Sequence, residues 1–503
     1  MTDELALANA SETLARLRSS ELSASALLEA IWARIQRDNP RLNAIVTLDI
    51  AGARRRAQEA DEALAHGKPF GPLHGLPITI KDNIAVAGLR ATAGSRRYAA
   101  HIAPQDAPVV ARLRRAGAIL LGKTNLPEFA LDWQSDNPVF GRTNNPWDPT
   151  RTPGGSTGGG AAAVAAGLSF LETGNDMGGS LRLPAHFCGI YALAPSEDRV
   201  PKGGGIPPLP TGTTVARLCR TGCLARSVPD LRLWLQTVAG PCENEADITC
   251  LPLGEPMPRS LRDLRIAWSP TLADVPIDPE VADVLEAFVQ RLHAAGCQVG
   301  LATPPIDLPT AWRVWARLFG SILANAFPAW LRLAMPLLSG LPLVRSAPGG
   351  AEFLRAADLN VSHYIAAERD RYALIAALDH FLADWDAWLL PVAPIAAFPH
   401  TPRALPGPLP LYTASLFLSN GERINYYQAT MSFTTPINVT GHPAVVLPVG
   451  RTHSGLPVGA QIIGRRGADM ALLDVAEALS SLLKGEQADE LDKPYLDRPA
   501  PIC

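Results

Sequence analysis

Hydrophobic positions over the first 65 residues recur at helical spacing. The segment from Ser23 reads Ser-Ala-Ser-Ala-Leu-Leu-Glu-Ala-Ile-Trp-Ala-Arg-Ile, a capping residue followed by an apolar helical face. Short runs rich in β-branched residues follow between glycines and prolines, a pattern typical of strands. Two such runs are residues 76–81, which place Lys81 at a strand end, and residues 118–122.

The second half of the chain changes pattern twice. Residues from about 240 to 375 look helical and are rich in proline, and strand-like runs return from residue 386. These runs are 387–390, 444–449 and 459–463, and a closing helix is predicted over 470–483. Strands at both ends with helices between them predict an α/β fold: a single large domain with a central mixed β-sheet covered by helices on both faces.

Four segments are predicted within that domain. Residues 1–65 are N-terminal helices that pack on the core, and residues 66–240 form the core that carries the candidate catalytic residues. Residues 241–385 are predicted as a helical cap inserted over the substrate, and residues 386–503 return to the same core. No polar low-complexity linker divides these segments, and the chain shows no internal repeat.

Composition narrows the class of protein. The 503 residues are 47% hydrophobic and 18% charged, with a formal net charge of −3, which argues against nucleic acid or an acidic membrane as a partner. The seven cysteines lack the paired spacing of a zinc site or a disulfide framework, so we expect no metal and a reducing, cytoplasmic location. The first residues carry Asp3 and Glu4 without an apolar run, unlike a signal peptide.

The most membrane-like stretch covers residues 318–344. Arg332 lies inside it, and Pro328, Pro336 and Pro342 divide it into pieces too short to span a bilayer. We therefore expect a buried helical pair or a substrate lid there, and no stable membrane insertion.

Glycine and serine cluster in residues 151–160. A phosphate-binding Walker A loop is excluded because no lysine follows the glycines, and a dinucleotide site lacks both the preceding strand and the later acidic residue. Gly-Gly-Ser-Thr-Gly around Ser156 also fits the nucleophile elbow of α/β-hydrolases. The approach through residues 145–153 is rich in turns, so an esterase that uses Ser156 is kept as an alternative.

A second cluster, residues 174–184, reads Gly-Asn-Asp-Met-Gly-Gly-Ser-Leu-Arg-Leu-Pro. Flexible residues before Ser180 allow several backbone N–H groups to point at one spot and bind an anion. A serine at the edge of such a nest can attack a carbonyl whose oxyanion the N–H groups stabilise. A tight turn that caps a helix explains the pattern equally well.

Other segments share one order and spacing with these two clusters. They are Gly75-Leu-Pro-Ile-Thr-Ile-Lys-Asp-Asn83, Gly122-Lys-Thr-Asn-Leu-Pro-Glu128, Phe140-Gly-Arg-Thr-Asn-Asn-Pro-Trp147, Pro153-Gly-Gly-Ser-Thr-Gly-Gly159, Asp176-Met-Gly-Gly-Ser-Leu-Arg-Leu-Pro-Ala185, Gly222-Cys-Leu-Ala-Arg-Ser-Val228, Pro436-Ile-Asn-Val-Thr-Gly-His-Pro-Ala444 and Gly455-Leu-Pro-Val-Gly-Ala-Gln-Ile-Ile-Gly464. Together they resemble the amidase signature family over about residues 20–485, and the co-occurrence is far more specific than any one motif.

The resemblance implies a catalytic triad. Ser180 matches the nucleophile, Ser156 the bridging serine that normally follows a cis peptide bond, and Lys81 the general base. The resemblance also implies an oxyanion hole formed by Met177, Gly178, Gly179 and Ser180. A lysine acts as a base only when neutral, so burial or nearby positive charge must lower its pKa. No cofactor is implied.

Neighbouring residues have simpler interpretations. Asp176 and Arg182 are expected to hold the loop rather than to act on substrate. His186 and Cys188 lie close enough in sequence to suggest a Cys–His pair, but a small buried cysteine is a common core residue.

Departures from the family pattern bear on the substrate. Asn175 stands where many members carry threonine, and Thr157 replaces the commoner serine. Residues 196–210 differ from the usual continuation of the A chain of the tRNA-dependent amidotransferases, which is kept as an alternative and predicts association with other proteins. The expected activity is hydrolysis of a hydrophobic or aryl amide, anilide, lactam or carbamate, with esters as a further substrate class. A homodimer is the candidate assembly.

Aromatic residues are expected to wall the substrate pocket. The predicted substrate-binding residues are Ala130, Leu131, Trp133 and Ser156. Further aromatic candidates, each of which core packing also explains, are Trp312, Trp315, Phe319, Phe327 and Trp330.

Overall fold

Most of the short apolar runs become strands of one sheet. The computed structural model describes residues 6–208, 214–243, 245–325, 329–345, 349–358, 361–404, 412 and 415–483. Its strands are β1 (Ile45–Leu48), β2 (Pro77–Lys81), β3 (Ile119–Thr124), β4 (Asp136–Asn137), β5 (Gly141–Arg142), β6 (Glu172–Asp176), β7 (Tyr191–Ala194), β8 (Arg220–Ala225), β9 (Arg265–Trp268), β10 (Gln298–Leu301), β11 (Ala387–Pro391), β12 (Ser415–Phe417), β13 (Arg423–Asn425), β14 (Ala444–Arg451) and β15 (Pro457–Ile463).

Helices surround this sheet. They are α1 (Ala10–Arg18), α2 (Ala24–Leu42), α3 (Ile50–Ala65), α4 (Pro108–Arg115), α5 (Gly158–Ala165), α6 (Arg182–Cys188), α7 (Thr214–Leu218), α8 (Val228–Val238), α9 (Pro279–Ala294), α10 (Leu308–Asn325), α11 (Ala329–Ala334), α12 (Pro342–Arg345), α13 (Gly350–Arg355), α14 (Val361–Phe381), α15 (Tyr426–Met431), α16 (Thr435–Thr440) and α17 (Asp469–Ser480).

Eleven strands form the main sheet in the order β1-β3-β2-β6-β8-β7-β14-β15-β11-β9-β10. β2 runs parallel to both β3 and β6, whereas β6, β8, β7, β14, β15 and β11 pair antiparallel in succession. All five residues of β2 are buried, as expected for a strand inside a sheet covered by helices. The prediction of one α/β domain on a mixed sheet is confirmed.

Residues 241–385, which we expected to be helical, also contain two strands. β9 and β10 lie there, pair in parallel, and extend the main sheet at one edge beside β11. Both strands are only four residues long, so neither produces a pattern that stands out from the helical sequence around it. The bounds of the four predicted segments themselves remain predictions.

The first helices pack on the core through polar as well as apolar contacts. The carboxylate of Asp230, in α8, accepts hydrogen bonds from the backbone N–H groups of Ala10 and Ser11 at 3.0 and 2.8 Å. It thereby satisfies amide groups at the start of α1 that have no partner inside that helix. Residues 1–65 also contribute β1, which pairs antiparallel with β3.

The stretch 318–344 is broken as its prolines predict. α10 ends at Asn325, α11 follows at Ala329–Ala334, and a 3-10 segment at Met335–Gly340 precedes α12. None of the helices in the described ranges combines the length and apolarity needed to cross a membrane.

Candidate active site

Two neighbouring parallel strands bring the candidate residues to one edge of the sheet. Lys81 is the last residue of β2 and Asp176 the last residue of β6, and the carboxyl ends of parallel strands meet at the same edge. Ser156 lies just before α5, which packs on both strands. Gly160 permits the close packing on β6, because a Cβ there would lie 2.3 Å from a side-chain carbon of Glu172.

Lys81 is fully buried among neutral partners. Its Nζ lies 2.7 Å from Ser156 Oγ and 2.7 Å from Asn175 Oδ1. Burial lowers the pKa of Lys81 to about 7, although the nearby Cys219 and Glu172 act in the opposite direction. A large fraction of this amine is therefore neutral near pH 7 and able to accept a proton.

The two serines are joined through the backbone. The peptide bond between Gly155 and Ser156 is cis, as the resemblance implies. The N–H of Thr157 donates to the carbonyl oxygen of Ser180 at 3.0 Å, which ties the segment of Ser156 to the segment of Ser180. Ser156 is 1% exposed and Ser180 is 9% exposed, so only the second reaches towards solvent. The structure thus brings together the three residues identified in the sequence.

The loop before Ser180 is held by a buried carboxylate. Asp176 accepts hydrogen bonds from the N–H groups of Gly179 at 2.8 Å and Leu181 at 3.0 Å. The Gly179 amide thus bonds to Asp176 in this structure. The oxyanion hole of Met177, Gly178, Gly179 and Ser180 stays a prediction.

Charged and amide side chains fix Asp176 in turn. Arg182 pairs with it at 3.0 Å and also donates to Gln461 Oε1 at 3.1 Å, and Asn438 Nδ2 donates to Asp176 at 2.9 Å. Burial alone would raise the pKa of Asp176, but the Arg182 guanidinium and these hydrogen bonds hold it well below its usual range. Asp176 and Arg182 hold the loop, as expected.

Two tryptophans contact the opposite side of the loop. Trp133 Nε1 donates to the carbonyl oxygen of Gly178 at 2.9 Å, and Trp315 Nε1 donates to that of Met177 at 2.7 Å. A third donor, Thr434 Oγ1, lies 3.1 Å from the Gly178 oxygen. The loop is therefore fixed from both sides, and indole rings form part of the wall beside it.

The other predicted pocket residues lie in different environments. Phe319 packs on Trp315 with ring centroids 4.9 Å apart, and Trp312 is partly buried beside the same cluster. Ala130 and Leu131 are half-buried in the turn before Asp132. Outside the described residues lie Phe327 and the side chain of Trp330.

A buried polar network behind Trp133 was not predicted from the sequence. Asp132 accepts hydrogen bonds from the hydroxyls of Tyr412 and Tyr426, each at 2.6 Å, and from Arg403 Nε at 3.0 Å. Burial raises the pKa of Asp132 against the opposing effect of Arg403. An aspartate between the apolar Leu131 and Trp133 was the available signal, but its partners lie about 280 residues away in sequence.

His186 and Cys188 do not form a reactive pair. His186 Nδ1 accepts from the N–H of Gly459 at 2.7 Å, and burial lowers the pKa of this ring to about 4. Cys188 Sγ lies 3.5 Å from the carbonyl oxygen of Pro153, and burial raises the pKa of the thiol well above its usual value. Both side chains serve packing. In the described part of the chain, no cluster of three His, Cys, Asp or Glu side chains is placed to hold a metal ion.

Comparison with known proteins identifies one family. The family model described as Amidase matches residues 26–473. An indoleacetamide hydrolase of Bradyrhizobium diazoefficiens is 34% identical over 475 residues, covering 94% of this chain and 86% of that protein. The A component of a glutamyl-tRNA(Gln) amidotransferase from Synechococcus sp. is 33% identical over 484 residues, covering 92% of this chain and 93% of that protein.

Solved structures show the same relationship. The structure of a 6-aminohexanoate cyclic dimer hydrolase complexed with substrate superposes with a TM-score of 0.79 at 29% identity, covering 98% of this chain and 99% of that one. A protein described as an amidase superposes with a TM-score of 0.75 at 31% identity, covering 94% of this chain and 99% of that one.

Proposed function

Because the chain belongs to the amidase signature family and is an amidohydrolase, we propose that it cleaves hydrophobic or aryl amides through an acyl-enzyme on Ser180. The observation that carries this proposal is the fully buried Lys81, whose Nζ lies 2.7 Å from Ser156 Oγ. A neutral amine in that position is a base, and a hydroxyl between base and nucleophile can relay a proton.

The reaction follows from this arrangement. Ser180 Oγ attacks the carbonyl carbon, its proton passes to Ser156 Oγ, and the Ser156 proton passes to Lys81 Nζ. Amides of the loop 177–180 stabilise the resulting oxyanion. When the C–N bond breaks, the proton returns from Lys81 through Ser156 to the leaving nitrogen, and water then cleaves the acyl-enzyme by the same relay.

Aromatic side chains support an apolar substrate. Trp133 and Trp315 bond to the loop, Phe319 packs on Trp315, and Phe353 lies 5.7 Å from Phe319 between ring centroids. One relative is named for hydrolysing indoleacetamide and one solved neighbour for a cyclic amide dimer. Aryl amides, anilides and lactams are the first substrates to test, followed by carbamates and esters.

A second candidate function rests on the relatives. Several of them, at 31–34% identity, are named as the A component of a glutamyl-tRNA(Gln) amidotransferase. This alternative predicts that the protein co-purifies with other components and transfers nitrogen from glutamine. Hydrolysis of simple amides by the isolated chain favours the amidase.

Labelling by a fluorophosphonate tests the nucleophile. Ser180→Ala should abolish labelling, and mass spectrometry of the wild-type protein should find the adduct on Ser180. Ser156→Ala is the matched control: it should label slowly but still on Ser180, because it loses only the relay. An adduct on Ser156 in the wild type, or full labelling of Ser180→Ala, would instead support the esterase alternative.

A further inference from the structure

Next to the loop lies a hydroxyl that the proposed mechanism does not use. Thr435 is fully buried, and its Oγ1 has no hydrogen-bond partner among the described residues. The adjacent Thr434 differs, because its hydroxyl is 3.1 Å from the carbonyl oxygen of Gly178. Burying a hydroxyl without a hydrogen-bond partner costs free energy of folding. Its presence beside the loop of Ser180 therefore indicates a functional role.

This hydroxyl and two indole rings converge on one face of Gly178. An atom placed at the Cβ position of Gly178 would lie 3.6 Å from Thr435 Oγ1, 3.5 Å from a ring carbon of Trp315 and 3.7 Å from a ring carbon of Trp133. These are ordinary contact distances, so a substrate group against this face would touch two aromatic edges and one hydroxyl. The three side chains come from separate parts of the chain.

The reaction decides which half of the substrate lies there. Ser156 and Lys81 must reach the leaving nitrogen to deliver its proton, so the amine half lies on their side of the carbonyl. The acyl half therefore lies against the face of Gly178 that Thr435 and the two indole rings approach.

We propose that Thr435 is a specificity-determining residue whose hydroxyl hydrogen-bonds a polar substituent on the atom next to the scissile carbonyl. The preferred substrate class is then an α-substituted aryl-acyl amide, such as an α-hydroxy arylacetamide, with its aryl group between Trp133 and Trp315. This inference rests on the proposed function and adds the acyl group that the site selects.

Binding to the inactive protein tests the inference. Dissociation constants are measured for Ser180→Ala with mandelamide and with 2-phenylpropanamide, which exchange one hydroxyl for a methyl group, using single enantiomers of each. Mandelamide should bind about threefold to tenfold more tightly, the usual worth of one neutral hydrogen bond. Adding Thr435→Val should reduce this preference to about onefold, whereas adding Thr435→Ser should retain it. If the valine variant does not fold, Thr435→Ala takes its place.

Thr13→Val is the matched control, because Thr13 is also a buried threonine whose hydroxyl has no partner in the described part of the chain, but it lies in α1. It should leave the preference unchanged. The inference would be overturned by equal affinities for the two amides in Ser180→Ala, where Thr435 is unchanged. A preference that survives Thr435→Val, or no binding of either amide, would overturn it as well. Turnover of the corresponding anilides by the wild type tests the proposed function separately. A Thr435-dependent binding preference without turnover would contradict hydrolysis of these amides but support the role of Thr435 in binding.

Discussion

The two sides of the loop 176–182 are held by different kinds of contact. On the core side, Asp176 and Arg182 form a fully buried ion pair that Asn438 completes. On the tryptophan side, Trp133 and Trp315 offer indole N–H groups to backbone carbonyls. Removing one partner of a buried ion pair costs much free energy of folding, whereas removing one neutral hydrogen bond costs little. Loss of a contact on the core side is therefore expected to cost more than loss of a contact on the tryptophan side.

Removing the proposed base is expected to have the largest effect. Lys81→Met should lower kcat/KM about 10²- to 10⁴-fold, the usual contribution of a general base. In the proposed mechanism the neutral amine is the active form, and the pKa of Lys81 is about 7, so wild-type activity should fall as pH drops through that value. A pH profile of kcat/KM measures this acidic limb, which should be absent in Lys81→Met.

A second buried lysine provides the control. Burial lowers the pKa of Lys123 to about 8, but its Nζ donates to the backbone carbonyl of Asp82 at 3.1 Å. Lys123→Met should keep the acidic limb near pH 7, and loss of that limb in this variant would contradict Lys81 as the base.

Burial of Lys81 should also affect stability. Unfolded lysine has a pKa of about 10.4, so between pH 7 and pH 10 the unfolded chain binds more protons at position 81 and stability rises with pH. Lys81→Met should thus raise the free energy of unfolding by about 0.5–2 kcal/mol.

Breaking the core side of the loop comes next in size. Asp176→Asn leaves Arg182 as an uncompensated buried charge and should lower the free energy of unfolding by about 3–5 kcal/mol, measured by urea denaturation. Asp148→Asn is the control, because Asp148 pairs with Arg151 where both side chains are about one third exposed. It should cost less than about 1 kcal/mol. Equal losses in the two variants would contradict the conclusion that the buried ion pair anchors the loop more strongly than an exposed pair could.

The tryptophan side of the loop should give the smallest effect. Trp315→Phe removes the N–H that bonds Met177 but keeps an aromatic ring, so kcat/KM should fall only about threefold to tenfold. Trp147→Phe removes a similar indole bond, to the carbonyl oxygen of Cys188 at 2.8 Å, away from the loop. That variant should lose stability without changing kcat/KM for aryl amides. A loss for Trp315→Phe as large as that for Lys81→Met would place Trp315 among the residues that act on the reacting atoms.

Local patterns explain what could be predicted from the sequence. Lys81 lies at the end of an apolar run, and Ser156 and Ser180 lie in glycine-rich turns, so each is visible within about ten residues. The observed strand Pro77–Lys81 differs from the predicted run 76–81 by one residue. Strand existence and the three candidate residues were therefore within reach of the sequence.

Long-range contacts explain what was missed. Nothing near Thr435 in the sequence shows that its hydroxyl faces Gly178, and nothing near Asp132 reveals its tyrosine partners. The sequence likewise does not show that Asp176 turns back to accept the N–H of Gly179. Such contacts depend on how distant elements meet, which local residue patterns do not record.

The pairing of β7 with β14, which sets Ala194 opposite Ala444, has a consequence for the order of synthesis. A nascent chain has made Lys81, Ser156 and Ser180 long before it makes Asn438 and Gln461, the groups that hold Asp176 and Arg182. Until residue 461 has left the ribosome, the loop that carries Ser180 lacks the hydrogen bonds of Asn438 and Gln461, and the sheet remains open along β7. The topology thus makes the support of this loop one of the last parts of the fold to be completed during synthesis.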